Sequence, residues 1–320
     1  MKTKRNYEPK PLFIERMKKL LGKDFESYME ILKHEPVKSI RANTLKISVE
    51  ELKKKLEDKG WKIKQLFEEY PKIMVFEKEL LPGELGRSLE HQLGYYYIQD
   101  IASMLPSLVL NPQPNEIVLD LCASPGSKTT QIAARMQNRG TIIANEISLH
   151  RIKILASNLE RCGVTNAIIT KKEGFALCNK LKQEGFLMDK ILVDAPCSGE
   201  GTIISDSKTL IMWNIKNVFN LSKMQKSLLS SAIEILKPKG ELVYSTCTHS
   251  PEENEEVVDF ILKKFPEMKI EQIKLPIKCR QGITKWNGKD YDNKVTKSCR
   301  IYPQDNNTEG FFIAKFKRMK

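Results

Sequence analysis

The chain has 320 residues, of which 41% are hydrophobic and 8% aromatic, and no apolar run reaches the roughly 20 residues that a membrane-spanning helix needs. This length and composition suit a soluble globular protein with one large and one smaller unit, and they exclude a membrane-embedded protein. The net charge of +13 favours nucleic acid as a partner over anionic lipid, although a solvated, lysine-rich surface would give the same charge.

The N-terminus and the cysteines predict an intracellular, cytoplasmic protein. The first ten residues are basic and polar with no apolar segment behind them, so they do not form a secretory signal. The seven cysteines form no Cys-x-x-Cys pair and are odd in number, which argues against a zinc knuckle and against a disulfide framework. We therefore expect a reducing compartment, no bound metal, and thiols that are either core residues or catalytic.

The N-terminal part of the chain predicts a small α+β module. Ser48 and Glu51 form a capping box at the start of a helix. The predicted elements, in order, are a helix over 12–33, a strand over 37–45, a helix over 48–59 and strands over 61–67 and 72–76. This order suggests an RNA-contacting sheet of ferredoxin or RRM type; no aromatic ribonucleoprotein motif is present, so the RNA assignment depends on charge.

A linker rich in Gly and Pro, over residues 81–86, separates the two predicted domains, 1–86 and 87–320. Tyr95, Tyr96 and Tyr97 follow it and precede a predicted helix over 101–110. These tyrosines can stack on bases or pack as an aromatic hinge between the domains, and packing is the favoured interpretation.

From residue 116 the chain alternates between strands and helices. The predicted strands cover 117–121, 140–146, 167–170, 188–194, 240–246 and 310–316. The predicted helices cover 127–136, 148–161, 221–236 and 251–265. Strands separated by helices of this length are parallel with right-handed crossovers. The sequence therefore predicts an α/β fold with a doubly wound, mostly parallel sheet.

The first of these strands ends in a loop that suits a nucleoside. Residues 120–130 read Asp-Leu-Cys-Ala-Ser-Pro-Gly-Ser-Lys-Thr-Thr, which matches neither the Walker nor the dinucleotide glycine pattern. Glu146 stands at the end of the second strand, where an acid accepts hydrogen bonds from ribose hydroxyls. S-adenosylmethionine fits this pattern, with its ribose at Glu146 and its methionine portion at residues 122–126 and the following helix N-terminus.

Two further strand ends carry thiols, at the edge where open α/β sheets bind ligands. Asp194 is the last residue of the apolar run 188–194, and Cys197 lies in the turn that follows it. Cys247 directly follows the predicted strand 240–246. A lone Asp-x-x-Cys is more typical of a strand ending in a turn with a buried cysteine. Two cysteines at the ends of two strands that flank one pocket favour catalysis over core packing.

A helix is predicted to start just after Cys247. Ser250, Pro251 and Glu253 supply an N-cap, a proline at the first helical position and a capping-box glutamate. The positive end of this helix, with Lys128 nearby, favours the thiolate form of Cys247.

Together these motifs resemble the Nol1/Nop2/Sun family of RNA cytosine-5 methyltransferases. The resemblance runs in family order through residues 120–130, 189–199 and 244–255 and the tail segments 300–303 and 308–315, and the first domain is similar to the family's N-terminal RNA-binding module. It implies a Rossmann-like, S-adenosylmethionine-dependent methyltransferase fold with a small N-terminal α+β domain.

The resemblance also implies methylation of cytosine C5 in RNA through a covalent adduct. Because C5 is a poor nucleophile, a thiolate first adds to C6. By resemblance, Cys247 is this nucleophile, Cys197 assists product release, and Asp194 and Lys128 hydrogen-bond the flipped base. The implied cofactor-binding residues are Cys122, Ala123, Ser124, Pro125, Gly126, Ser127, Lys128, Glu146, Arg151, Glu173 and Asp194.

The compact form is similar to archaeal-type tRNA members of the family, so we expect a monomeric tRNA-modifying enzyme that makes 5-methylcytosine, with ribosomal RNA as the alternative substrate. A non-catalytic RNA-binding or ribosome-assembly factor that retains the cofactor pocket is a second class, but it does not need both thiols. A transferase for an exocyclic amino group would prefer Asn/Asp-Pro-Pro-aromatic where this chain has Asp194-Ala195-Pro196-Cys197.

Overall fold

The computed structural model describes residues 8–78 and 80–319. Its α-helices are α1 Pro11–Leu21, α2 Phe25–Ile31, α3 Val49–Glu57, α4 Glu84–Arg87, α5 Leu89–Gln92, α6 Ile101–Leu110, α7 Ser127–Met136, α8 Leu149–Cys162, α9 Gly174–Gln183, α10 Thr209–Met212, α11 Ile215–Glu234, α12 Glu255–Lys264 and α13 Pro303–Asn306. Its strands are β1 Ser39–Ala42, β2 Ile63–Gln65, β3 Ile73–Phe76, β4 Tyr96–Ile98, β5 Ile117–Asp120, β6 Thr141–Asn145, β7 Ala167–Thr170, β8 Met188–Asp194, β9 Leu236–Thr246, β10 Met268–Glu271, β11 Arg280–Gln281, β12 Lys285–Trp286, β13 Lys289–Asp290, β14 Cys299–Ile301 and β15 Phe311–Arg318.

The small N-terminal unit is an antiparallel sheet in the order β2-β3-β1-β4, covered by α3. The Ser48 hydroxyl accepts a hydrogen bond from the Glu51 backbone N–H at 3.1 Å, so the predicted cap of α3 is present. Tyr96 and Tyr97 are buried in β4, which confirms that these two tyrosines pack. Strand β4 follows the predicted linker at 81–86, and the boundary between residues 86 and 87 stays a prediction.

The helix predicted over residues 12–33 is wrong as a single element. The helix α1 ends at Leu21, and Gly22 has φ 55° before a 3-10 turn leads into α2. A side chain at this positive φ would be strained, and glycine is not. The chain therefore turns at Gly22, and Phe13, Met17 and Tyr28 enter one hydrophobic cluster from two helices.

The large sheet has the order β11-β14-β15-β9-β8-β5-β6-β7, and β10 also pairs with β15. Strands β9, β8, β5, β6 and β7 are parallel, and β15 runs antiparallel beside β9. Leu119, Ile191 and Val243 are fully buried because helices cover both faces. The predicted doubly wound α/β fold is confirmed, with an antiparallel extension at one edge.

The helix start predicted at Ser250 is wrong. Residues 251–254 form turns, and α12 begins at Glu255. The Ser250 hydroxyl donates to Glu200 at 2.7 Å, and the Glu253 carboxylate accepts from the Ser198 backbone N–H at 3.1 Å. The side chains of Ser250 and Glu253, which would have capped the helix, are thus hydrogen-bonded to residues distant in sequence. The expectation that Cys247 lies directly before a helix N-terminus is therefore also wrong, since α12 begins eight residues after it.

A disulfide joins Cys279 and Cys299, which corrects the expectation that all cysteines are free thiols. Cys279 directly precedes β11, and the pairing of β11 with β14 brings its Cα within 5.4 Å of the Cα of Cys299. Their separation of 20 residues in sequence does not reveal this proximity. Cys122, Cys162, Cys178, Cys197 and Cys247 are free. In the described part of the chain, no helix is long and apolar enough to cross a membrane.

Candidate active site and cofactor loop

The predicted catalytic side chains meet where β8 and β9 end. Asp194 is the last residue of β8 and stands opposite Ser245 of β9. Cys197 follows three residues after Asp194, and Cys247 directly follows β9. Adjacent parallel strands end at the same sheet edge, so residues fifty positions apart in sequence come into contact.

Asp194 is held on two sides. One carboxylate oxygen, Oδ2, lies 2.7 Å from Lys128 Nζ, and the other, Oδ1, accepts a hydrogen bond from the Ser245 hydroxyl at 2.7 Å. Lys128 is buried, donates to the Ser103 hydroxyl at 3.2 Å, and lies with Nζ 5.2 Å from the centre of the Phe311 ring. The Asp194 side chain keeps 26% of its surface exposed, so a fixed carboxylate remains accessible to a ligand.

The two cysteines are in direct contact. The Sγ atoms of Cys197 and Cys247 lie 3.2 Å apart, and the backbone N–H of Cys247 donates to Cys197 Sγ at 3.3 Å. The hydrogen bond with Cys247 and burial raise the pKa of Cys197 well above its usual range. Cys197 is therefore a neutral thiol at physiological pH, and it can donate a hydrogen bond to the neighbouring sulfur.

Behind the thiols lies Glu253, which sequence reasoning placed in a helix cap. Its Oε2 accepts from the Ser198 backbone at 3.1 Å and from Gln225 Nε2 at 2.9 Å, and its Oε1 is buried without a hydrogen-bond partner in the described part of the chain. Burial raises the pKa of Glu253 to about 8. A neutral carboxyl group thus stands next to the cysteine loop near neutral pH.

Glu200 organises the loop that follows the strand β9, and sequence reasoning missed it. Its buried carboxylate accepts four hydrogen bonds, from Trp213 Nε1 and the Ser250 hydroxyl at 2.7 Å each, from the Thr248 hydroxyl at 3.0 Å and from the His249 backbone at 3.1 Å. These contacts join residues 248–250 to the segment after Cys197. The sequence carries no local signal for them, because all of the donors lie at least 13 residues away.

The cofactor loop predicted over residues 122–126 joins β5 to α7, and contacts with α8 hold it. Arg151 Nη2 donates to the Ser124 carbonyl at 2.6 Å, and the Ser124 hydroxyl donates to the Arg151 carbonyl at 3.1 Å. The Ser124–Pro125 peptide bond is cis. Gly126 has φ 103°, and a Cβ there would stand 3.0 Å from a methyl carbon of Leu155, so the turn requires glycine.

Three carboxylates surround this loop. Burial and the charges of Asp120, Asp194 and Glu146 raise the pKa of Cys122, which keeps that thiol neutral. Asp120 accepts a hydrogen bond from the Thr129 hydroxyl at 2.7 Å, and burial raises the pKa of Asp120 to about 6. Its Oδ1 is buried and has no partner within residues 8–78 and 80–319. The charges of the loop carboxylates and of Asp194 therefore act on the same thiol.

Glu146 and Arg151 lie together beside the loop, whereas Glu173 does not join them through any hydrogen bond. Glu146 is buried at the end of β6, accepts from the Ser148 backbone at 2.9 Å and pairs with Arg151 Nη1 at 3.2 Å. Glu173 is exposed at the N-cap of α9 and makes no side-chain capping bond. The structure thus places Glu146, at the end of β6, next to the loop at residues 122–126.

Arg41 of β1 ties the small sheet to this loop, another contact that sequence reasoning missed. The guanidinium donates to the Ser127 carbonyl at 2.7 Å, to the Thr130 hydroxyl at 2.8 Å and to the Gln99 side chain. The first turn of α7 is therefore positioned by the N-terminal unit.

Two family descriptions match the chain. Residues 107–317 match the 16S rRNA methyltransferase RsmB/F family, and residues 10–101 match the N-terminal domain of 16S rRNA methyltransferase RsmF. The chain is 42% identical to the tRNA (cytosine(49)-C(5))-methyltransferase of Pyrococcus abyssi over 319 residues, which cover 95% of each protein. It is 36% identical to ribosomal RNA small subunit methyltransferase F of Vibrio parahaemolyticus, covering 96% of this chain and 62% of that protein.

Solved structures agree with this relationship. A methyltransferase homologue from Pyrococcus horikoshii superposes with a TM-score of 0.84 at 34% identity, over 96% of this chain and 94% of that one. The crystal structure of NSun6 from Pyrococcus horikoshii with SFG also has a TM-score of 0.84, at 26% identity, over 97% of this chain and 98% of that one.

Proposed function

The chain belongs to the RsmB/F family of RNA methyltransferases, and from this premise we propose that it transfers the methyl group of S-adenosylmethionine to C5 of a cytosine in tRNA. The observation that carries the proposal is the contact between Cys197 and Cys247 next to the Asp194–Lys128 ion pair. A pure RNA-binding factor has no use for two touching thiols beside a lysine-held carboxylate.

The loop at residues 122–126 and Glu146 suit S-adenosylmethionine. Asp120 presents a buried oxygen without a partner in the described part of the chain, and Glu146 presents a buried carboxylate at the end of β6. Glu146 can accept from ribose hydroxyls, and the loop with Gly126 can hold the methionine portion. SFG, an S-adenosylmethionine analogue, in the NSun6 structure supports the same ligand class. The cofactor supplies an electrophilic methyl group on a sulfonium ion.

The protein's own residues act on the cytosine. The Cys247 thiolate adds to C6, which makes C5 nucleophilic enough to accept the methyl group. Asp194 and Lys128, fixed 2.7 Å apart, hold the base by hydrogen bonds around N3 and its carbonyl. A base then takes the C5 proton, the C5–C6 double bond re-forms, and the bond between C6 and the Cys247 sulfur breaks. Because the cytosine must leave its stack to reach this edge, we expect the target in a loop or junction.

Cys197 assists the last step. Its pKa is raised by the contact with Cys247 and by burial, so it carries its proton when the adduct breaks down. At 3.2 Å, the Cys197 thiol can donate a hydrogen bond to the departing Cys247 sulfur. This stabilises the leaving thiolate and accelerates expulsion of the methylated base.

The match to the Pyrococcus abyssi tRNA enzyme over 95% of both proteins supports tRNA. The family description and the Vibrio relatives make ribosomal RNA the second candidate substrate. This chain spans about three fifths of the length of those Vibrio proteins. The test incubates the enzyme and S-adenosylmethionine with unmodified tRNA and, separately, with small-subunit ribosomal RNA, followed by bisulfite sequencing. New 5-methylcytosine confined to tRNA is the expected result. Methylation confined to ribosomal RNA would reassign the substrate, and none in either RNA would overturn the proposal.

A further inference from the structure

A cleft runs between the N-terminal sheet and α7, away from the cysteines. It comprises two chambers whose linings share Lys72, Ala134 and Arg135. The smaller chamber has a volume of about 220 Å³, and its wall includes Arg41, Tyr70 and Leu108. The larger has a volume of about 720 Å³, and its remaining lining is mostly polar: Thr44, Leu45, Gln113, Pro114 and Gln137.

Three cations line this cleft, and all of them are bonded to neutral oxygens. Lys72 Nζ donates to the Thr44 hydroxyl at 3.2 Å, Arg135 Nε donates to Asn111 Oδ1 at 2.6 Å, and Arg41 donates to carbonyl, amide and hydroxyl oxygens. Within residues 8–78 and 80–319, none of the three forms an ion pair with a carboxylate, although the exposed Glu69 also lines the cleft. Among the described residues, the three cations of the cleft therefore have no carboxylate within ion-pair distance.

Burial makes the charge of Arg41 costly, whereas Lys72 and Arg135 are exposed. Arg41 is buried with its Nε lacking a partner in the described chain, and burial lowers the pKa of Arg41 to about 10. Burial and the charges of Arg135 and Arg41 lower the pKa of Lys72. A cation out of water without a counter-ion destabilises the folded state, and a bound anion would relieve this effect.

The smaller chamber adds a flat apolar wall next to the cations. The half-buried Tyr70 packs on the cluster formed by Ile73, Val75 and Met104, and Leu108 lies beside it. An aromatic face beside a pair of cations is the arrangement that binds a nucleotide, since the base stacks on the ring and the phosphate meets the positive charges.

We propose that this cleft binds a nucleotide of the RNA substrate other than the target cytosine, with its base against Tyr70 and its phosphate at Lys72 and Arg135. This inference rests on the proposed function for its choice of RNA. Lys128 lies in the first turn of α7 and Arg135 in the last, so the cleft lies about 10 Å along the helix from the catalytic lysine. The same helix thus carries the reacting edge at one end and an anchoring contact at the other.

The test measures binding of a fluorescent tRNA transcript by anisotropy over a range of salt concentrations. The variant Lys72→Gln/Arg135→Gln should bind about tenfold more weakly, and its slope of log K against log salt should shrink by about 0.7, which corresponds to one lost phosphate contact. The matched control Lys182→Gln/Lys263→Gln removes two lysines that already pair with Glu234 and Asp259 at 3.0 and 2.7 Å. The control should bind like the wild type, and thermal unfolding confirms that both variants fold.

The base contact and the source of the nucleotide are tested separately. Tyr70→Ala should weaken binding of the transcript about tenfold, and Tyr70→Phe should preserve binding because it keeps the ring. Equilibrium dialysis with cytidine 5′-monophosphate provides the free-nucleotide arm. Millimolar or weaker binding of the mononucleotide, alongside tight cleft-dependent binding of the transcript, is expected. Tight mononucleotide binding without any effect of the variants on the transcript would overturn the assignment to RNA.

Wild-type methylation of tRNA and ribosomal RNA separates this inference from the proposed function. If the wild type methylates neither RNA but the cleft variants still weaken RNA binding, the proposed function fails and the cleft assignment stands. If methylation occurs and both cleft variants bind RNA like the control, the cleft assignment is wrong and the proposed function stands.

Discussion

The Sγ atoms of Cys197 and Cys247 lie 3.2 Å apart, although the two residues are fifty positions apart in the chain. Two thiolates at this distance would repel each other strongly, so the pair retains a proton. The raised pKa of Cys197 places that proton on Cys197. Cys197 therefore stands beside Cys247 as a protonated thiol.

Removal of each thiol should therefore have a different result. Cys247→Ala should abolish methylation, because no thiolate remains to add to C6. Cys197→Ala should leave adduct formation possible and slow its breakdown, so a protein–RNA complex should persist on a denaturing gel. If Cys247→Ala accumulates the complex and Cys197→Ala abolishes it, the two roles are exchanged.

The ion pair between Asp194 and Lys128 should be essential for turnover. Asp194→Asn and Lys128→Met should each lower kcat/KM for RNA methylation by about 100-fold, because a positioned charged hydrogen bond to the base is lost. Lys237→Met is the control, since Lys237 also lies 2.7 Å from an aspartate of β8, Asp189, at the other end of the strand. Equal losses in all three variants would show that the effect is structural.

Glu200 should matter for stability. Glu200→Ala leaves four buried donors without their acceptor and should lower the free energy of unfolding by about 3 kcal/mol. Glu200→Gln should cost less, because it keeps one acceptor oxygen. Urea denaturation measures both, with Glu234→Ala as the control, since Glu234 is exposed and forms a surface ion pair with Lys182. A loss below about 0.5 kcal/mol for Glu200→Ala would contradict the prediction.

Glu253 should give the protein part of its pH dependence. Burial raises the pKa of Glu253 from 4.5 to about 8, so the folded state holds a proton that the unfolded chain releases near pH 4.5. The stability from this proton is complete below about pH 4.5 and is lost as the pH rises through 8. Wild type should therefore lose stability between these values relative to Glu253→Gln. Parallel stability curves for the two proteins in chemical denaturation from pH 4.5 to 9 would refute this.

Glu146 should contribute to cofactor affinity. Glu146→Ala removes the buried acceptor at the end of β6 and should raise the Kd for S-adenosylmethionine about tenfold in calorimetry, as expected for one lost charge-assisted hydrogen bond. Glu160→Ala, an exposed position on α8, is the control and should bind like the wild type. If the wild type gives no heat of binding at millimolar S-adenosylmethionine, the assignment of this cofactor is wrong.

Most of the strands and helices of the large sheet were predictable because their signals are local. The bounds of α6, α7, β7 and β8 agree with those predicted, since apolar runs and turn residues act over a few positions. The helix α9 was not predicted, and the helix predicted at Ser250 begins at Glu255. In the second case, Ser250 and Glu253 follow the capping pattern, but Glu200 and Ser198 compete for them from elsewhere in the chain.

The sequence by itself determined that Asp194, Cys197, Cys247 and the loop at 122–126 lie at strand ends, because hydrophobic alternation and strand order place them at one sheet edge. Only the tertiary structure decided that the sulfurs touch, that Cys279 and Cys299 join, and that Arg41 leaves a positive cleft beside α7. These features depend on distances and burial between segments far apart in sequence. Burial and the contact with Cys247 raise the pKa of Cys197, so the protonation of that thiol was decided by packing.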